Sequence, residues 1–182
     1  LRSYGLELLL RKNTGKLNGW VSYTLSRSEQ QTPGRNANEI GINNGNWYSS
    51  VYDKLHNLAV TGNYNWSDKW SFGANFIMQT GQPVTYPNGQ YQIQGITIPS
   101  FGLRNGNRLP TFHHLDISAT YIPKPQKKKN WQSEWVFSIY NVYNRQNAAS
   151  ISFRQNNETG ANEAVRFSIF GVVPAVSYNF KF

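Results

Sequence analysis

The chain has 182 residues, of which 15% are charged and 15% aromatic, with a formal net charge of +9 and no cysteine. The missing cysteines exclude a disulfide framework and a thiolate metal site, and the scarcity of Ala-, Leu- and Glu-rich windows excludes long helices. A mean hydropathy of −0.59, with no approach to ~20 consecutive apolar residues, excludes a helical membrane span. A transmembrane barrel passes the same test, because only alternate residues face lipid. The basic balance brings nucleic acid into view, but outside Lys127, Lys128 and Lys129 the cations are scattered. A polyanionic cell surface accounts for such a balance equally well. Residues 1–12 lack the charged, apolar and cleavage regions of an export signal, so export requires a signal carried elsewhere.

Period-two alternation dominates the chain and predicts seven strands, at about 3–12, 16–28, 53–66, 69–82, 109–122, 131–145 and 164–182. The first sets Tyr4, Leu6, Leu8 and Leu10 on one face, and the second Leu17, Gly19, Val21, Tyr23 and Leu25. The third offers Leu58, Val60, Gly62 and Tyr64; the fourth offers Trp70, Phe72, Ala74, Phe76 and Met78. Leu115, Ile117, Ala119 and Tyr121 follow in the fifth, and Trp135, Phe137 and Ile139 in the sixth, which is extended as far as Phe153. The seventh carries Phe170, Val172, Pro174, Val176, Tyr178, Phe180 and Phe182. None of these faces holds an Asp, Glu, Lys or Arg, whereas the opposite faces carry Asn, Ser, Thr and the charges Glu7, Arg11, Asp116, Glu134 and Lys181. Leu9, Trp20, Ile77, Val136 and Val173 break the pattern on the polar side.

A soluble sandwich also alternates, so the connections carry the decision. Short links at 13–16, 67–68 and 123–130 alternate with long polar stretches at 29–52, 83–108 and 155–163. That is the layout of an outer-membrane barrel, with tight periplasmic turns and long extracellular loops. Tyr64, Trp66, Trp70, Tyr121, Trp131, Trp135 and Tyr178 all fall near the short-turn end, where an aromatic girdle is expected. An open seven-stranded sheet in hydrocarbon would leave two unpaired edges, at several kcal/mol per exposed backbone group, so further strands are expected on both sides. At about 26 residues per strand, a plugged barrel of about 22 strands takes roughly 570 residues. The expected fold is therefore all-β: seven antiparallel transmembrane strands forming the C-terminal part of a larger outer-membrane barrel, without a plug domain in residues 1–182.

Several segments together resemble a known family. They are Tyr4-Gly5-Leu6-Glu7 with Gly19-Trp20-Val21-Ser22-Tyr23-Thr24-Leu25-Ser26, Asp53-Lys54-Leu55-His56, and Gly81-Gln82-Pro83-Val84. Further along come Arg108-Leu109-Pro110, His114-Leu115-Asp116-Ile117-Ser118, Tyr140-Asn141-Val142-Tyr143-Asn144, and the closing run from Pro174 to Phe182. In order and spacing the set is similar to the late strands of TonB-dependent outer-membrane receptors, with a last strand most like those of Bacteroidetes. The resemblance implies the wall of a transporter that imports a scarce nutrient, such as a siderophore, vitamin, glycan or peptide. It places the protein in the outer membrane of a Gram-negative bacterium, with long loops extracellular and the C-terminus periplasmic. The partners it implies are outer-membrane lipid, the remaining strands and plug of the same receptor, the TonB system, and the barrel-assembly machinery. A surface lipoprotein or larger membrane complex is a further implied partner. Val176, Tyr178, Phe180 and Phe182 match the terminal pattern which that machinery reads.

Chemistry is sparse. His113-His114-Leu115-Asp116 is the most site-like cluster, yet only His114 and Asp116 share a face, which favours a hydrogen-bond network over a metal site. No cofactor, catalytic set or nucleic-acid face is read: the aromatics share a face with aliphatics rather than lining a basic groove. Lys127 to Lys129 read as a solvated turn near anionic headgroups. Trp47, Tyr48, Tyr86 and Tyr91, set among Asn and Gln in long loops, are candidate substrate contacts. The rival readings are a non-transporting outer-membrane barrel serving as anchor or scaffold, a soluble β-rich carbohydrate-binding module, and an enzyme using His114 and Asp116.

Overall fold

The structure, a computed structural model, describes residues 1–123, 132–156 and 162–181. The Lys127–Lys129 link, Trp131 and Phe182 lie outside the described residues. The chain is all-β and antiparallel, with no α-helix among the described residues. Its strands are β1 Arg2–Lys12, β2 Leu17–Gln30, β3 Tyr48–Ser49, β4 His56–Asn65, β5 Trp70–Gln79, β6 Pro83–Val84 and β7 Pro87–Ile93. They continue as β8 Ile96–Phe101, β9 Asn107–Arg108, β10 Phe112–Tyr121, β11 Gln132–Tyr140, β12 Ala148–Gln155, β13 Asn162–Ser168 and β14 Val173–Lys181.

The principal sheet is an up-and-down meander in the order β1-β2-β4-β5-β10-β11-β14, with β3 added to the end of β2. It is open, and β1 and β14 form its two edges. Directly opposed residues of an antiparallel pair point to the same face, so the registers decide whether the seven apolar stripes coincide. They do. One row runs Leu10, Val21, Val60, Phe76, Leu115, and the next but one Leu17, Tyr64, Phe72, Ala119, Phe137, Val176. On the reverse side Trp20, Thr61, Asn75 and Asp116 form one polar row, bridged where the Thr61 hydroxyl donates to Asn75 Oδ1 at 2.8 Å. A one-residue slip at any ladder would move an entire stripe to the wrong side.

Among the described residues nothing covers the middle of the apolar face. Tyr48, Pro83 and Leu109 are the only buried apolar side chains among the described residues, with Tyr48 and Leu109 at 7% and 8% exposed, and all three lie at the long-loop end. Leu6, Leu10, Leu17, Tyr64, Phe137 and Val176 stay open to the surroundings. Small side chains at Gly62, Ala74 and Ala119 leave a depression of about 730 Å³ in the apolar face, walled by Tyr64, Phe72 and Phe137.

Two expectations about strand extent are corrected. The sixth strand does not run on to Phe153, because β11 ends at Tyr140. Asn141 and Asn144 take left-handed φ values of 51° and 55° and turn the chain out of the sheet, a conformation asparagine tolerates better than most residues. The Asn147 amide then replaces a strand partner, donating to the His113 carbonyl at 2.9 Å and accepting the His113 amide at 3.1 Å. The seventh strand is likewise two. Its first half becomes β13, which pairs with β12 in a separate hairpin, while β14 begins where Tyr140 faces Val173. With β11 finished, residues before Val173 have no ladder to join and satisfy their backbone elsewhere.

Candidate functional site at the long-loop end

The three turns between meander neighbours on one side are short, so the interloop chemistry gathers at the other end. There the chain between β2 and β4 meets the chain between β5 and β10 at Asp53, whose side chain is 0% exposed. Asp53 Oδ1 accepts the Ser28 amide at 2.7 Å, and Oδ2 receives Arg27 Nη1 at 3.4 Å and Arg108 Nη2 in a close contact. Arg108 Nη1 also donates to the carbonyls of Asp53 at 2.9 Å and Gly81 at 3.1 Å. Gly81 is required at this point, since a Cβ there would sit 1.7 Å from the Leu109 carbonyl oxygen. Burial alone would push the Asp53 carboxyl up; the Ser28 amide and then the two guanidinium groups outweigh it and hold the group below its ordinary 3.8.

Two asparagines extend this latch. The Asn43 side chain pairs with the backbone of Arg104 in both directions, at 2.8 and 3.0 Å. Asn105 donates from Nδ2 to the Ser49 carbonyl at 2.7 Å and from its amide to Thr85 Oγ1 at 2.9 Å. Side-chain amides thereby do the work of ladder bonds between irregular segments.

On the β10–β11 side, His114 Nδ1 lies 2.8 Å from Asp116 Oδ1, which also accepts the Asn141 amide at 2.9 Å. His113 points to the apolar side and meets the Tyr143 hydroxyl at 2.7 Å. Asn141 is 0% exposed and spans its own turn, bonding Arg145 through both amide atoms at 2.9 and 3.0 Å. Among the described residues no cluster of three or more His, Asp or Glu side chains is placed to hold a metal ion. His113 and His114 both take part in hydrogen bonds that reach the turn after β11, through Tyr143, Asn147 and the Asp116–Asn141 contact.

The aromatic residues at the short-turn end come together across strands. Trp70, Tyr121, Trp135 and Tyr178 occupy one row, with ring centroids 4.7 Å apart for Trp70–Tyr121 and 4.6 Å for Trp135–Tyr178. Trp66 tilts over Phe72 at 5.9 Å, and Tyr64 lies beside it on the same face. Val176, Tyr178 and Phe180 alternate along β14, fully on the exposed apolar side.

The loop aromatics separate into different roles. Tyr48 turns inward, with its hydroxyl 3.3 Å from Thr32 Oγ1. Trp47 is exposed under the Arg2 guanidinium, 4.1 Å from the ring centroid. Tyr91 is exposed on the β7–β8 hairpin. Tyr86 lines a cleft of about 540 Å³ between the 82–109 segment and the start of β12. No family model, curated protein or solved structure matches this chain. Its geometry therefore stands without a relative to lend it function.

Asp53, Gly81 and Arg108 lie in three separate family-like segments and form one unit, whereas Asn141 belongs to the network of Asp116 and Arg145. The signal was there in part. In a chain with few charges, Asp53 opens one predicted strand and Arg108 stands just ahead of another, a costly place for a charge without a partner. What no pattern could supply was their pairing across 55 residues.

Proposed function

We propose that this chain is part of the wall of a TonB-dependent outer-membrane transporter that imports a scarce nutrient, with no catalytic step of its own. The observation that carries the reading is the continuous apolar face: seven stripes in register, uncovered, backed by a polar face. In water such a face would far exceed the few hundred Å² that a soluble monomer leaves open. In a bilayer it is solvated by acyl chains, and the polar face lines an aqueous lumen or meets a plug. The aromatic row at the short-turn end then lies at the periplasmic interface, and the Asp53 latch holds the extracellular loops. Closure follows from the open edges of β1 and β14, whose free backbone groups need further strands of the same barrel in hydrocarbon.

The test is topological. Single cysteines at Asn88 and Gly15 in the full protein, probed in intact cells with a membrane-impermeant thiol reagent, should label at Asn88 and remain protected at Gly15. Equal labelling, or a chain that folds as a monomer in plain buffer without detergent, would sink the membrane reading. Transport is tested separately: uptake of the nutrient should stop when the TonB system is deleted. Retained uptake leaves the non-transporting barrel as the better description.

A further inference from the structure

The Tyr86 hydroxyl is the one buried side-chain polar atom among the described residues that lacks a hydrogen-bond partner. An orphan of this kind costs about 1–3 kcal/mol, so a group that normally meets it is expected. Tyr86 lies in the wall of the 540 Å³ cleft, a volume within the range of small-molecule sites. Facing it edge-on is Phe153, with ring centroids 5.0 Å apart and planes at 62°.

The cleft's chemistry is selective. Pro83, Pro87 and Pro99 line it and contribute no backbone N–H, while neutral polar side chains, Gln82, Thr85, Asn105, Ser150 and Ser152, line it beside the Tyr86 hydroxyl. No Asp, Glu, Lys or Arg side chain lines it, although the chain carries a net +9. Arg108, next in sequence to the lining Leu109, is engaged by the Asp53 carboxylate and by the carbonyls of Asp53 and Gly81. An ionic ligand would enter without a counter-charge, against a wall that is mostly apolar. The wall formed by Ser150, Ser152 and Phe153 belongs to the β12–β13 hairpin, a two-stranded sheet of its own that can shift without breaking the meander.

We infer that this cleft is a binding site for an uncharged, ring-bearing solute of the aryl glycoside kind, whose ring packs against the Tyr86–Phe153 pair and whose oxygen accepts the Tyr86 hydroxyl. The inference rests on the transporter reading for its setting, since the long-loop end is then the outward mouth. It excludes anionic chelators as ligands of this cleft.

The experiment compares phenyl β-glucoside with phenyl β-glucuronide, which differ only in a hydroxymethyl against a carboxylate. Binding to the full protein in detergent is followed by ligand-observed NMR, after heat-modifiable mobility on gels has shown a folded barrel. The glucoside should bind, the glucuronide at least about tenfold more weakly. Tyr86→Phe should weaken the glucoside about three- to tenfold while leaving the melting temperature unchanged or slightly raised, because the lost hydroxyl had no partner. Phe153→Leu should weaken both probes. Equal binding of the two glycosides, no binding of either, or an unaffected Tyr86→Phe variant each overturns the inference. A folded barrel that fails these tests removes the cleft alone. A soluble chain that passes them removes the membrane reading alone.

Discussion

The meander and its long-loop end are built on opposite terms. Across the strands, apolar side chains are exposed and the described residues form no apolar core; at the loop end, the fully buried side chains among the described residues are Asp53, Ser50 and Asn141, all polar. The usual arrangement of a globular domain is thus inverted along one axis. On the proposed membrane reading, the strands expose Leu and Phe to apolar surroundings, whereas the loops project into water and need dense hydrogen bonding to keep one conformation. The contrast separates two sources of order, solvent matching in the sheet and directed polar contacts at the rim.

The sharpest way to break the comparison is a charge in the middle of the apolar face. Val60 sits between Val21 and Phe76 at mid-strand. Val60→Lys should cost up to about 4 kcal/mol of folding stability in lipid vesicles, measured by urea titration. If that face met water instead, the substitution would be neutral and would improve solubility.

Next comes the latch. Asp53→Ala leaves Arg108 beside two carbonyls without its carboxylate, and the Ser28 amide without an acceptor. About 3 kcal/mol should be lost locally, the low end for an interrupted buried pair because Arg108 keeps some solvent contact. Limited proteolysis should then cut within 31–52 and 82–108 while the strands stay protected. Because the folded-state value for Asp53 lies below its ordinary 3.8, its stabilisation is complete above that value. It is lost as pH falls below about 4 through the folded-state value. Loop protection in the unaltered protein should fail in that window, and Asp53→Asn should remove the dependence.

The smallest effect belongs to the aromatic row. A double-mutant cycle on Trp135 and Tyr178, each to Leu, should return a coupling of about 0.5–1.5 kcal/mol. A value of zero would make their 4.6 Å approach incidental.

Much of the sheet was legible in the sequence. The stripe phases in β1, β2, β4, β5, β10, β11 and β14 follow from alternation alone, since a strand half-exposed to each of two media must alternate. The alternation of short and long links was equally plain. Strand ends were not, because Asn141 ends β11 by a backbone turn stabilised with its own amide, and asparagine is just as common inside these strands, as at Asn63 and Asn75. The hairpin β7–β8 hid in the polar stretch 83–108, whereas most of β12 and β13 alternates well enough to have been read as continuations of the sixth and seventh strands.

The sequence by itself determined that this is an alternating all-β chain with one uncharged face, because that property is local and repeats every second residue. Only the tertiary structure decided that seven such faces are one surface, that Asp53 and Arg108 meet, and that Tyr86 lacks a partner beside a cleft. Those facts depend on strand register and on loops separated by tens of residues, where pairing is chosen by the geometry of the whole sheet rather than by any neighbouring residue.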